Sequence, residues 1–189
     1  MIIYPTNWFK NYEDFAEQIY DVYDQNMHGN VFRIVKTLKE IIYDIGVNHL
    51  AFSGGVDSTI LLCIMSDVFD EVNTYTISSR ADNKDVQFAR LGSSEYKSIH
   101  HEFIVEPTKK ETDKFTGDNA VRQLYENAIE FTDKMVCGDG VDEFMCGYHA
   151  HKDLTYDTYV RFLKDLLPGH LIPLDANSGS VEVFLPYLD

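Results

Sequence analysis

Apolar positions recur every three or four residues over 31–45, where Val31, Ile34, Val35, Leu38, Ile41, Ile42 and Ile45 share one face. That spacing predicts an amphipathic helix, closed by Gly46. The pattern then changes. His49, Leu50, Ala51 and Phe52 form a short apolar run that ends in a polar hexapeptide, Ser53-Gly54-Gly55-Val56-Asp57-Ser58. A second helix-like run follows, from Thr59 to about Phe69. β-Rich residues 72–77 predict the next strand, 82–91 a helix, 97–105 a strand of mixed alternation, 122–131 a helix and 134–137 another strand. Residues 148–167 are polar and aromatic and predict a helix stopped by Pro168-Gly169, with an irregular loop over 171–180. Near the start of the chain, Trp8, Phe9, Tyr12, Phe15, Ile19, Val22 and Tyr23 lie near helical spacing, with Asn11 as a cap. They predict a helical extension over 1–30, ending in a connector at 26–30, that packs on a single domain of residues 31–189.

Strands that alternate with helices predict the α/β class: a mostly parallel, twisted sheet with helices on both faces. A chain of 189 residues fits one domain with a sizeable core. No run reads as a signal peptide or a membrane span, so a cytoplasmic protein is expected. The chain carries 31 acidic against 16 basic residues, a net charge of −15. Such a surface repels polyanions and argues against a large nucleic-acid partner, and the absence of any membrane-span pattern argues against a membrane one. The three cysteines, Cys63, Cys137 and Cys146, lack C-x-x-C spacing, which speaks against zinc or redox work. His100 and His101 are adjacent on a strand and point to opposite faces, so they cannot share a compact metal site. His149 and His151 flank Ala150, and structural or solvent-facing roles are expected for all four.

The hexapeptide carries the chemistry. Two glycines let the backbone turn tightly between strand and helix and come close to a ligand. The loop amides and the helix N-terminus then face one point, an arrangement that suits phosphate. Ser53 and Ser58 add hydroxyls. Asp57 helps near phosphate only if a cation sits between them, and Asp142, which follows a second glycine turn at a strand end, is its expected partner in holding Mg2+. In parallel sheets such loops gather at the carboxyl ends of the strands. The lysine of the Walker loop is absent.

The hexapeptide resembles the PP-loop, S-G-G-x-D-S, of the ATP pyrophosphatase superfamily, the adenine nucleotide alpha hydrolase-like fold. Three more stretches, in order, resemble the synthetase domain of asparagine synthetases. Leu91-Gly92 with His100-His101-Glu102 is similar to L-G-x-x-x-H-H-E, at a longer spacing. Residues 136–148 are similar to S-G-E-G-x-D-E-x-x-G-G-Y. Residues 181–189 are similar to V-E-A-R-V-P-F-L-D. The resemblance implies that ATP is cleaved between its α and β phosphates, with pyrophosphate held by Ser53, Gly54, Gly55 and Ser58. Ala51, Ile77 and Gly138 would border adenine and ribose. Asp139 stands at the substrate-side glutamate position, Glu182 and Tyr148 match the glutamate and the tyrosine of their signatures, and Arg122 would meet a substrate carboxylate. Asp139, Glu182 and Arg122 are the catalytic residues that the resemblance implies. An exposed helix arginine is the commoner arrangement. The implied reaction is the ATP- and Mg2+-dependent adenylation of an aspartate-like carboxylate, then amide formation with release of AMP.

The departures from the pattern are specific. Ile2 follows Met1 where the glutamine-using enzymes place a cysteine, so the nitrogen is expected from ammonia, another amine or a separate glutaminase partner. Asp139 replaces a glutamate, Cys146 a glycine and Phe184 an arginine. The resembled chains run on beyond P-F-L-D and use a lysine for charge at the adenylation step. Here Lys152, Lys109, Lys110 or a neighbouring subunit of a homo-oligomer would have to supply it. Two alternatives follow: a catalytically reduced protein that binds ATP or AMP and regulates a partner, and a PP-loop enzyme acting on a nucleobase or tRNA. The acidity of the chain speaks against the latter.

Overall fold

The computed structural model describes residues 1–3, 27–105, 117–149, 152 and 155–189. The helix expected around Trp8 and Asn11, the segment with Lys109 and Lys110, and His151 lie outside the described residues. Among the described residues, six strands form one sheet in the order β1-β6-β5-β2-β3-β4. They are β1 (Ile2–Ile3), β2 (His49–Ala51), β3 (Asn73–Ser78), β4 (Ile99–Ile104), β5 (Lys134–Val136) and β6 (Glu182–Phe184). Every pairing is parallel. The chain builds outward from β2 through β3 to β4, then crosses back so that β5 lies on the other side of β2. The order therefore reverses between β2 and β5, and the crevice at a reversal of this kind is where α/β sheets take ligands.

The helices are α1 (Met27–Ile45), α2 (Val56–Val68), α3 (Lys84–Glu95), α4 (Gly117–Ala128), α5 (Val141–Met145), α6 (Tyr156–Asp165) and α7 (Ile172–Ser178). They cover both faces of the sheet. On one face Leu38 and Ile42 of α1 and Leu61, Leu62 and Met65 of α2 pack on Leu50, Phe52 and Val136. On the other, Leu124, Tyr125 and Ala128 of α4 and Leu174 of α7 pack on Tyr75, Met135 and Val183. Each large side chain removed from water in these layers contributes about 1.5–3 kcal/mol. Gly46 ends α1 as expected, with a left-handed φ of 66°. His100 and His101 separate as strand geometry requires: His100 sits edge-on to Phe52, and His101 stacks on Tyr75 on the opposite face.

Two stretches depart from the sequence expectation. α1 begins at Met27, so the connector expected at 26–30 is largely helical. Pro168-Gly169 does not stop the chain. A π-turn, Leu166–Leu171, carries the backbone from α6 into α7, with Ile172 N–H bonded to the carbonyl of Leu167. The wider π spacing accommodates a residue without an N–H, and burial of Leu166, Leu171 and Leu174 holds the segment against α4. The loop expected over 171–180 is thus mostly helix. At the chain start, Ile2–Ile3 forms an edge strand on β6, anchored by the Met1 amino group on the Ser178 hydroxyl (3.0 Å) and the Val181 carbonyl (2.8 Å).

Candidate active site

The loop after β2 and the loop after β5 open into one cleft of about 420 Å3 at the carboxyl edge of the sheet. Gly54 makes the first loop possible. It has φ +76°, and a Cβ there would stand 2.8 Å from the backbone carbon of Phe88 in α3. A side chain fits neither the backbone conformation nor the space. The turn is drawn together by hydroxyls: Ser53 Oγ and Ser58 Oγ are 3.2 Å apart, Ser58 donates to the Gly55 carbonyl, and Gly55 N–H donates to Ser53. Gly55 caps α2 without a side-chain bond, so the first amides of that helix stay open toward the cleft. Thr76 Oγ1 donates to the Phe52 carbonyl and fixes the strand end.

The second loop is shaped by close contacts. The Cβ position of Gly138 is 3.6 Å from Ser58 N, so β5 delivers its loop directly against the start of α2. Gly140 turns with φ +90°, pressed on Leu188. Asp142 follows in α5, and Gly147 returns over it: its N–H donates to the Asp142 carbonyl at 3.0 Å, and a Cβ there would overlap the Asp142 carboxylate. Cys146, in place of the first glycine of the resembled pair, takes a left-handed φ of 58°.

The charges of the two loops meet. Burial pushes the Asp57 carboxyl up, the neighbouring Asp142 charge pushes it further, and a backbone hydrogen bond only partly offsets them. Two acids that repel each other at the mouth of an amide-lined loop fit a bridging cation. No group of three or more metal-ligating side chains occurs among the described residues. The Asp57–Asp142 pair is the kind of donor set that Mg2+ takes, one or two carboxylates with water and phosphate completing its shell. Nearby, Glu143 is 4% exposed. Its Oε1 accepts from Tyr148 (2.8 Å), and its Oε2 has no hydrogen-bond partner among the described residues. An uncompensated buried oxygen beside Asp142 is a further sign of a position that takes positive charge. Tyr187 in the C-terminal 3-10 turn donates to the Asp57 carbonyl at 2.9 Å and steadies the acid from below.

Ala51, Ser53, Asp57, Ser58, Ile77, Gly138, Asp139, Asp142 and Tyr148 all line the cleft, and Gly54 and Gly55 form the backbone of its loop. Two expected residues stay outside. Glu182 opens β6 and pairs in register with Lys134, the first residue of β5, with an ion pair at 3.5 Å. It lies two residues, about 7 Å, short of the strand ends where the cleft opens. Arg122 bonds along its own helix to Glu126 (2.8 Å) and Asn119 (2.6 Å), while Val121 and Leu124 face the cleft. Neither is among the residues that line the cleft. Sequence order matched the motifs, but strand register and helix phase decide where the side chains go.

Several lining residues were not foreseen, and one of them, His170, is tied to an expected acid. His170, in the π-turn, holds Asp139 through Nε2–Oδ1 at 2.6 Å. Burial pushes Asp139 up, but the bonds from His170 and from the Cys137 thiol outweigh it and hold the carboxyl below its usual range. The same bond raises His170 against its own burial. The partners are 31 positions apart in sequence, and no local pattern links them.

A comparison with curated proteins yields no match. The family model described as asparagine synthase matches residues 49–177, from the first residue of β2 into α7 and across both loops. The match spans well over half of the chain and contains the cleft whose loop amides and facing acids fit a magnesium-bound nucleotide, so the chain belongs to the asparagine synthase family, a family of ATP-dependent amide-forming ligases.

Proposed function

We propose that this protein adenylates a small carboxylate with ATP and passes the acyl group to a nitrogen nucleophile. The observation that carries the reading is the convergence, from neighbouring parallel strands, of an amide-lined glycine loop and two mutually repelling carboxylates. Ser53, Gly54, Gly55 and Ser58 receive the outer phosphates, and Ala51, Ile77 and Gly138 flank the adenosine. Asp57 and Asp142 would hold Mg2+, which would neutralise charge on the phosphates. A carboxylate oxygen attacks the α-phosphorus in line, a C–O–P linkage forms, the bond to the β-phosphate oxygen breaks, and pyrophosphate leaves. Ammonia or another amine then attacks the acyl carbon, the nitrogen loses a proton, and AMP leaves with the acyl oxygen. Asp139, which lines the cleft beside Gly138, meets the incoming nitrogen in this reading.

The test is exchange of labelled pyrophosphate into ATP with L-aspartate and a panel of other carboxylates. Carboxylate-dependent exchange is expected, and its absence with every carboxylate refutes the ligase reading. A second reading, a nucleotide-binding regulator, draws support from the placement of Arg122 and Glu182 outside the cleft. It requires magnesium-dependent ATP binding with no AMP formed.

A further inference from the structure

The cleft is lined by four carboxylates, Asp57, Asp85, Asp139 and Asp142, and among its described lining residues a single side chain is basic, His170. Asp57 and Asp142 face the cation position, and Asp85 is exposed in the first turn of α3. Asp139 is the acid that remains, and it is tied to His170 Nε2. His170 makes no hydrogen bond through Nδ1 among the described residues. The path of a nucleotide past this pair follows from the loops. With its outer phosphates on the loop after β2 and its adenosine beside Ala51 and Ile77, the nucleotide in this reading carries its α-phosphate past the loop after β5, where Gly138 abuts the start of α2 and Asp139 lines the same cleft.

We propose that His170, protonated on both ring nitrogens and bonded to Asp139, receives the α-phosphate of the bound nucleotide through its Nδ1–H. This rests on the ligase reading for the position of the nucleotide. The protonation state decides the contact. In a neutral ring that donates from Nε2 to Asp139, Nδ1 is an acceptor and repels a phosphate oxygen. In the imidazolium both nitrogens donate. The surroundings favour the imidazolium: the Asp139 hydrogen bond raises His170 first, burial opposes it, and the charges of Asp139, Glu143 and Asp118 add to the rise. Cys137 and Tyr148, on the same cleft, are pushed up and stay neutral. The contact is therefore complete below the ordinary histidine range and is lost as pH rises through the raised value.

Calorimetry with three probes tests the assignment on the wild type, His170→Gln and His170→Lys. Adenosine reports the base and ribose site, magnesium pyrophosphate the loop, and AMP the α-phosphate. His170→Gln should weaken AMP about tenfold or more, as loss of a charge-assisted bond does, and leave adenosine and pyrophosphate unchanged. Wild-type AMP affinity should fall as pH rises through the raised His170 value, while His170→Lys should hold AMP across that range, since lysine keeps its charge. Wild-type AMP binding no tighter than adenosine overturns the proposal. So does a His170→Gln variant that binds AMP like the wild type or loses adenosine in parallel. Failure of pyrophosphate to bind the wild type would instead defeat the loop assignment, with the AMP series still deciding His170.

Discussion

Replacing Gly147 with alanine should damage the cation site without touching an acid. Gly147 does not need a left-handed backbone, so alanine is conformationally allowed. The added Cβ would lie 2.9 Å from Asp142 Cγ and on top of its Oδ1, while the nearest backbone atom, Asp142 Cα, stands at 3.4 Å. The helix backbone is at tolerable distance, so the carboxylate must swing aside. Because the yielding group is the end of a rotatable side chain and Gly147 is exposed, the fold should lose no more than about 1 kcal/mol. Loss of one charged ligand to the metal costs on the order of 2–3 kcal/mol, roughly 30- to 150-fold in affinity. Titration calorimetry of ATP with and without magnesium measures it. The magnesium-dependent gain should shrink to that of Asp142→Asn, and the metal-free affinity should hold. An alanine variant that binds magnesium-ATP like the wild type would show that Asp142 does not hold the cation.

Three further outcomes follow from the same geometry. Asp57→Asn should abolish magnesium-dependent ATP binding yet stabilise the ligand-free fold near neutral pH. With its folded pKa raised, Asp57 binds its proton more readily in the native state, so the wild type loses stability as pH climbs from the ordinary aspartate value through the raised one. Denaturation midpoints across that window should flatten in the variant, and an unchanged slope would refute the assignment. Gly54→Ala should lower stability by about 2–4 kcal/mol, through left-handed strain and collision with α3, visible as a reduced urea midpoint. Glu182→Gln should leave ATP affinity unchanged and cost under about 1 kcal/mol, as removal of a half-exposed ion pair does. A tenfold loss of nucleotide affinity in that variant would mean the acid reaches the cleft after all.

The central strands and the phosphate loop were legible because local signals agreed there. Apolar runs at 49–52 and 72–77, a glycine pair and a following helix all carry their own punctuation. The stretch 166–178 was not, because its structure is imposed by packing. Pro168-Gly169 is a strong local stop, yet Leu166, Leu171 and Leu174 each lose their exposure on α4, and tertiary burial wins over the breaker. Motif order identified the loops that form the site but not the direction of each side chain. Asp139 and Asp142 follow a glycine turn and had to face the cleft, whereas Glu182 depends on the register between β6 and β5 and Arg122 on the phase of α4. His170 had no local signature, since its partner comes from a different element.

The reversal of strand order between β2 and β5 has a kinetic consequence. The two halves of the cation site come from strands that touch only after the chain has travelled out to β4 and back, so the joined site does not exist until β5 docks on β2. Nucleotide can therefore grip only molecules whose midline is already sewn shut, and it should slow their opening along that seam far more than at the outer strand β4.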